Sequence, residues 1–105
     1  MFIKYDEYDL IELFQSEPVS ITGNLDDGVL IYTYKDDYNF KVILTLDVYE
    51  QTSSLSITFK DSIVFSANFS NVTSIKKVDE TMVMVVGAEE RIKVKFYKQV
   101  GVELL

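Results

Sequence analysis

The sequence predicts a mainly β domain: an antiparallel meander forming a sandwich, a strongly curved sheet or a partial barrel, with one short N-terminal α-helix. Three observations carry that expectation. From Val19 onward apolar residues recur with a period of two, in runs rich in valine, isoleucine, threonine, tyrosine and phenylalanine, which fit a pleated, half-buried surface. Only one segment, near the start, has helical spacing. The links between apolar runs are short and rich in aspartate, asparagine, serine and glycine, so successive strands must run antiparallel, because a parallel pair needs a crossover of about a dozen residues or more. The 105 residues, 48% of them hydrophobic, show no linker, composition shift or internal repeat. They read as a single domain, 1–105, large enough to bury roughly two thirds of its surface.

The helix is expected at 7–16. Leu10, Ile11, Leu13 and Phe14 fall on one face while Asp9, Glu12 and Gln15 point elsewhere. Asp6 is the candidate N-cap, and Glu7 and Asp9 suit the positive end of the helix dipole. Pro18 biases Glu17 towards extended backbone, which ends the helix before it. Strands follow at 19–23, 29–35, 39–49, 54–60, 63–69, 72–78, 81–87, 91–98 and 102–105. The clearest alternations set Phe40, Val42, Leu44, Leu46 and Val48 against Lys41, Thr45 and Asp47, and Ile92, Val94 and Phe96 against Arg91, Lys93 and Lys95. Each such strand has one dry and one wet face. Turn residues separate them, including Asp26-Asp27-Gly28, Asp36-Asp37-Tyr38-Asn39 and Ser70-Asn71. Gly28 and Gly87 supply positive φ where tight turns need it. The run Thr81–Val86 is apolar on both faces and is expected to be a central strand buried on both sides.

Composition narrows the chemistry. Without histidine or cysteine the chain lacks the usual general base near neutral pH, a thiol nucleophile, disulfides and the common structural zinc sites. No enzyme activity, metal or cofactor is expected. A net charge of −7 opposes binding to nucleic acid or to anionic membranes, since affinity for phosphate comes mainly from lysine and arginine. Carboxylates appear by position 6 with no apolar stretch before them, so no secretory signal is expected and the cytoplasm is the expected location. Ser74-Ile75-Lys76-Lys77 matches Ser-x-x-Lys literally, but on a strand and without the companion motifs of the enzymes that use it. The aspartate pairs Asp26/Asp27 and Asp36/Asp37 could hold a divalent cation if a bent strand pair brought their turns together. Aspartate is also simply a favoured turn residue.

Charge placement is more informative. Residues 1–52 hold eleven acids and three lysines, net −8, whereas residues 53–105 hold six acids and seven bases, net +1. Six of the seven tyrosines share the acidic half: Tyr5, Tyr8, Tyr32, Tyr34, Tyr38 and Tyr49. Clustered carboxylates steer basic partners, and tyrosine is enriched at interface hot spots. The candidate partner-binding set is Asp6, Asp9, Glu12, Asp26, Asp27, Asp36 and Asp37 for charge, with Tyr8 and Tyr38 as anchors. The plainer reading is that charged turns are solvated and that Tyr32 and Tyr34, sharing a strand face, pack inward.

In overall make-up the chain resembles the small acidic immunity proteins that accompany bacterial toxins, and also phage-encoded inhibitors of defence nucleases. The likeness is one of make-up, and no motif carries it. It implies an inhibitor whose carboxylates occupy the phosphate-binding surface of a basic protein partner such as a nuclease toxin. Two other readings compete. One is a small-ligand-binding β domain with a pocket of Phe40, Phe59, Phe65, Phe69 and Phe96, residues that are more simply core. The other is a structural subunit pairing exposed strand edges, as in a homodimer. Lys93, Lys95 and Lys98 oppose that pairing if their strand is an edge.

Overall fold

Residues 1–105 are described by a computed structural model, in which nine strands form two antiparallel sheets, each a meander in chain order. The first sheet holds β1 (Val19–Ser20), β2 (Val29–Lys35), β3 (Phe40–Asp47), β4 (Thr52–Phe59) and β5 (Ser62–Phe69). The second holds β6 (Val72–Val78), β7 (Thr81–Val86), β8 (Glu89–Lys95) and β9 (Gly101–Leu104). The strand expected at 19–23 is only two residues long.

The period-two pattern builds the core directly. Tyr32, Leu44 and Leu55 stand opposite one another on β2, β3 and β4, and all three are fully buried. Met84 sits between Ile75 and Ile92 in the second sheet. The two inner faces and the helix share one cluster of 20 buried residues. Each large aliphatic side chain buried there contributes about 1.5–3 kcal/mol relative to exposure.

Helix α1 (Glu7–Phe14) closes the open side between β2 and β6. Asp6 caps it, one carboxylate oxygen accepting the amide hydrogens of Tyr8 at 2.8 Å and Asp9 at 3.2 Å. The helix ends two residues short of the expected position. Gln15 turns left-handed, with φ 56°, so the reversal comes before Pro18 acts. Leu10, Leu13 and Phe14 point inward. The Phe14 ring lies 5.4 Å from Tyr32 and 4.9 Å from Phe96, centroid to centroid, and Phe96 in turn meets Tyr34 edge-on at 5.2 Å.

Three features of the connectivity were not evident from the sequence. Ser70-Asn71 is no hairpin within a sheet: the chain passes there from β5 to β6, from one sheet to the other. Asn71 takes positive φ, and the Val72 amide donates to the Gln51 carbonyl at 2.9 Å, tying the second sheet to the β3–β4 turn. The N-terminal segment makes a second tie. Ile3 donates to Val48 of the first sheet's end at 2.9 Å, while Lys4 donates to Thr73 at 3.0 Å and accepts from Ile75 at 2.9 Å. Finally, β8 lies between β7 and β9, so Lys93 and Lys95 guard no edge. The edges at the end of each meander are β5 and β9.

The run Thr81–Val86 is buried on both faces as expected, but no third layer covers its outer side. Val83 lies between Lys76 and Lys93, and Val85 between Ser74 and Glu90. A Lys76–Glu90 ion pair of 3.6 Å spans β7, and the lysine stems shield the valines while their ammonium groups stay wet. No helix is long and apolar enough to cross a membrane.

Candidate functional site

Strand β2 separates the two aspartate pairs. Asp26 and Asp27 sit in a 3-10 turn, Leu25–Asp27, before the strand begins, and Asp36 and Asp37 follow its last residue. Seven extended residues span roughly 20 Å, so the pairs cannot share a cation and do not form one patch. At the far end Asp36 is committed to the fold. One oxygen accepts from the amides of Tyr38 at 2.8 Å and Phe40 at 2.9 Å, and the other from Val100 at 3.0 Å. Lys35, Lys41, Lys60 and Asp61 line a cleft with it, which leaves that end mixed in charge. Asp37 and Tyr38 are exposed there.

The helix residues divide similarly. Asp6 is the cap. Tyr8 is 74% exposed, Asp9 is partly buried, and Glu12 pairs with Lys77 at 3.3 Å. Asp26 and Asp27 are exposed, with no ion pair and no hydrogen bond to their carboxylates.

At the near end of β2 several residues outside the candidate set converge. The Val48 amide donates to the Gly28 carbonyl at 2.9 Å, and Val29 is in register with Asp47. That pairing places Asp26, Asp27, Asp47 and Glu50 at one end of the first sheet. A cleft of about 340 Å³ opens beside them, with walls that include Tyr5, Glu7, Leu25, Asp26, Tyr32 and Tyr49. It adjoins a shallow apolar hollow of about 530 Å³ formed with Phe2 and Ile3, and the two share Tyr5, Val48 and Tyr49. Phe2 and Tyr49 are more than half exposed.

Gly28 is what lets Tyr49 lie there. Its φ is +74°, and a Cβ on it would stand 2.9 Å from Tyr49 Cε2 and 3.2 Å from Val48 Cβ. Any side chain would collide with the ring as well as strain the backbone.

Tyr32 is the buried polar member of the cleft wall. It is fully buried, yet its hydroxyl has no hydrogen-bond partner within the protein. Leaving a buried hydroxyl unpaired costs about 1–3 kcal/mol. Burial pushes its pKa far up, and the charges of Tyr5 and Glu7 push it further. Tyr5 is raised by burial, then by Glu7 and Tyr49. Tyr34 is raised by burial, then by Asp36 and Asp37. Tyr5, Glu7, Tyr32 and Tyr49 all line this cleft, although none was among the nine candidates. One sequence signal pointed to it: alternation sets Tyr32 beside Leu30 on an inward face, where a hydroxyl needs a partner.

The five phenylalanines of the ligand-binding reading do not meet in one pocket. Phe96 belongs to the core with Phe14 and Tyr34. Phe40 meets Phe59 with tilted rings at 4.8 Å, and Phe40 and Phe69 line two different clefts.

The fold is similar to that of a chain from a contact-dependent growth inhibition toxin–immunity protein complex from Klebsiella pneumoniae 342. The TM-score is 0.78 with 19% sequence identity, and the match covers 98% of this chain and 96% of that one. No protein-family model and no curated protein sequence matches. At that identity the likeness is one of fold, and it extends over both sheets and the helix.

Proposed function

We propose that the protein is an immunity-type inhibitor that binds and neutralises a basic protein toxin. The observation that carries this reading is the fold likeness, end to end, to a chain of a toxin–immunity complex. Charge supplies the chemistry of the partner. Residues 1–69, the helix and first sheet, hold twelve acids and four bases, net −8, whereas residues 70–105, the second sheet, are net +1. A charge so placed steers a basic partner towards one side of the molecule.

The contact face in this proposal is the near end of β2. Asp26, Asp27, Glu7, Asp47 and Glu50 provide charge, and Phe2, Tyr5 and Tyr49 provide apolar anchoring. Tyr8 and Asp6 flank it from the first turn of α1. Inhibition occurs by occupancy: carboxylates stand where the toxin would hold the phosphates of its substrate, and the inhibitor performs no reaction.

The test is co-expression in a bacterial host with the product of a neighbouring reading frame that is toxic when expressed alone. The expected result is rescued growth and a 1:1 complex that weakens as salt rises from 50 to 300 mM. Failure to bind that product or to restore growth would overturn the reading.

A further inference from the structure

We propose that the cleft between the start of α1 and the Leu25–Asp27 turn receives one arginine side chain of the bound partner. This deepens the inhibitor reading and rests on it. The cleft differs from an ordinary acidic surface in having a buried, unsatisfied group in its wall. Tyr32 lines the cleft and its buried hydroxyl is unpartnered, with Tyr5 and Glu7 in the same walls.

The remaining walls fit a guanidinium. Glu7 and Asp26 stand at the exposed rim, and neither is engaged in an ion pair. Leu25, Leu30 and Val48 offer apolar surface to the methylene stem. Tyr49 presents a ring seated against Gly28, and an arginine head stacks on such rings and is more weakly hydrated than an ammonium. Its five donors can serve the two carboxylates and, as the cleft wall yields on binding, the Tyr32 oxygen as well, whereas lysine carries three donors on a compact, strongly hydrated head. A volume of about 340 Å³ leaves room for one long side chain.

The proposal can be tested without the toxin. Tyrosine ring and backbone signals of the intact protein are followed by NMR while N-acetyl-arginine methylamide is added, with the citrulline and lysine analogues as parallel arms. The expected result is perturbation centred on Tyr5, Leu25, Tyr32 and Tyr49, with arginine binding about tenfold more tightly than neutral citrulline and more tightly than lysine. Tyr32→Phe should weaken arginine about tenfold by removing the acceptor, and Glu7→Gln should weaken it in a salt-dependent manner.

Equal response to citrulline would overturn the proposal. So would equal lysine binding, perturbations spread over all carboxylates, or unchanged affinity in Tyr32→Phe. The two readings fail separately. A toxin complex whose affinity ignores both Tyr32→Phe and Glu7→Gln removes the arginine site and leaves the inhibitor, while arginine binding without any toxin complex does the reverse.

Discussion

The Asp36 carboxylate accepts a hydrogen bond from the Val100 amide at 3.0 Å, across 64 residues of sequence. Its other oxygen holds Tyr38 and Phe40 in its own turn. One side chain thus joins the β2–β3 hairpin of the first sheet to the segment leading into β9 of the second. Charge-assisted bonds to backbone amides are among the stronger ones in proteins. Asp36→Asn, which turns one acceptor into a donor, is expected to lower stability by about 1–3 kcal/mol. Its exposed neighbour Asp37→Asn should stay within about 0.5 kcal/mol of the parent. Urea unfolding of both variants checks this, and partner affinity should be the same for folded Asp36→Asn as for the parent.

That difference between neighbours shows where sequence reading stops. Alternation along Phe40, Val42, Leu44 and Leu46 identified β3 and its inner face, because strand period is local physics. Asp6 as helix cap was legible for the same reason. Asp36 and Asp37 looked alike as turn residues, since the Val100 amide that distinguishes them comes from the other end of the chain. Ser70-Asn71 carried turn chemistry that serves a hairpin or a passage between sheets equally well. The two-residue tie of Ile3 and Lys4 was too short to show a period. Tyr5, Tyr32 and Tyr49 come together only once Val48 bonds to Gly28, so their cleft was hidden until the register was known.

Gly28→Ala tests that register and the seating of Tyr49. The new methyl would meet the Tyr49 ring at 2.9 Å and Val48 Cβ at 3.2 Å, at a φ of +74°. Positive φ alone costs a non-glycine residue about 1 kcal/mol or more, and the collision adds to it. The expected loss is about 1–3 kcal/mol in chemical denaturation, with altered ring signals for Tyr49. An unchanged Tyr49 environment would show that the ring has room to spare.

Tyr32 predicts an alkaline limit to stability. Its pKa in the folded protein is raised, chiefly by burial, so folding favours the protonated phenol. Stability from this source is complete below the unfolded tyrosine value, about 10, and is lost as pH rises above it. Tyr5 and Tyr34 shift in the same direction and add to the slope. Denaturation midpoints should therefore be level from pH 7 to 9 and fall beyond about pH 10. Tyr32→Phe keeps the ring packed against Phe14 and removes an unpaired hydroxyl. It should match or exceed the parent's stability by up to about 1 kcal/mol at pH 7 and show a shallower alkaline fall. Absorbance at 295 nm during the titration would show the tyrosinate appearing together with unfolding.

Asp26 and Asp27 separate steering from folding. Both are exposed and form no ion pair, so Asp26→Asn with Asp27→Asn should change stability by no more than about 0.5 kcal/mol. Exposed charges at the rim of an interface act mainly on the rate of encounter. Against a basic partner the double variant should associate several-fold more slowly at 50 mM salt. At 300 mM, where the screening length is well below 10 Å, the difference should shrink. The matching change at the far end of β2, Asp37→Asn, should leave the association rate close to that of the parent, because Lys35, Lys41 and Lys60 already offset its charge there. Stopped-flow association at the two salt concentrations distinguishes the ends. Equal slowing by both changes would place the attraction in the total charge of the first sheet, and slowing by Asp37→Asn alone would move the contact face to the β2–β3 turn.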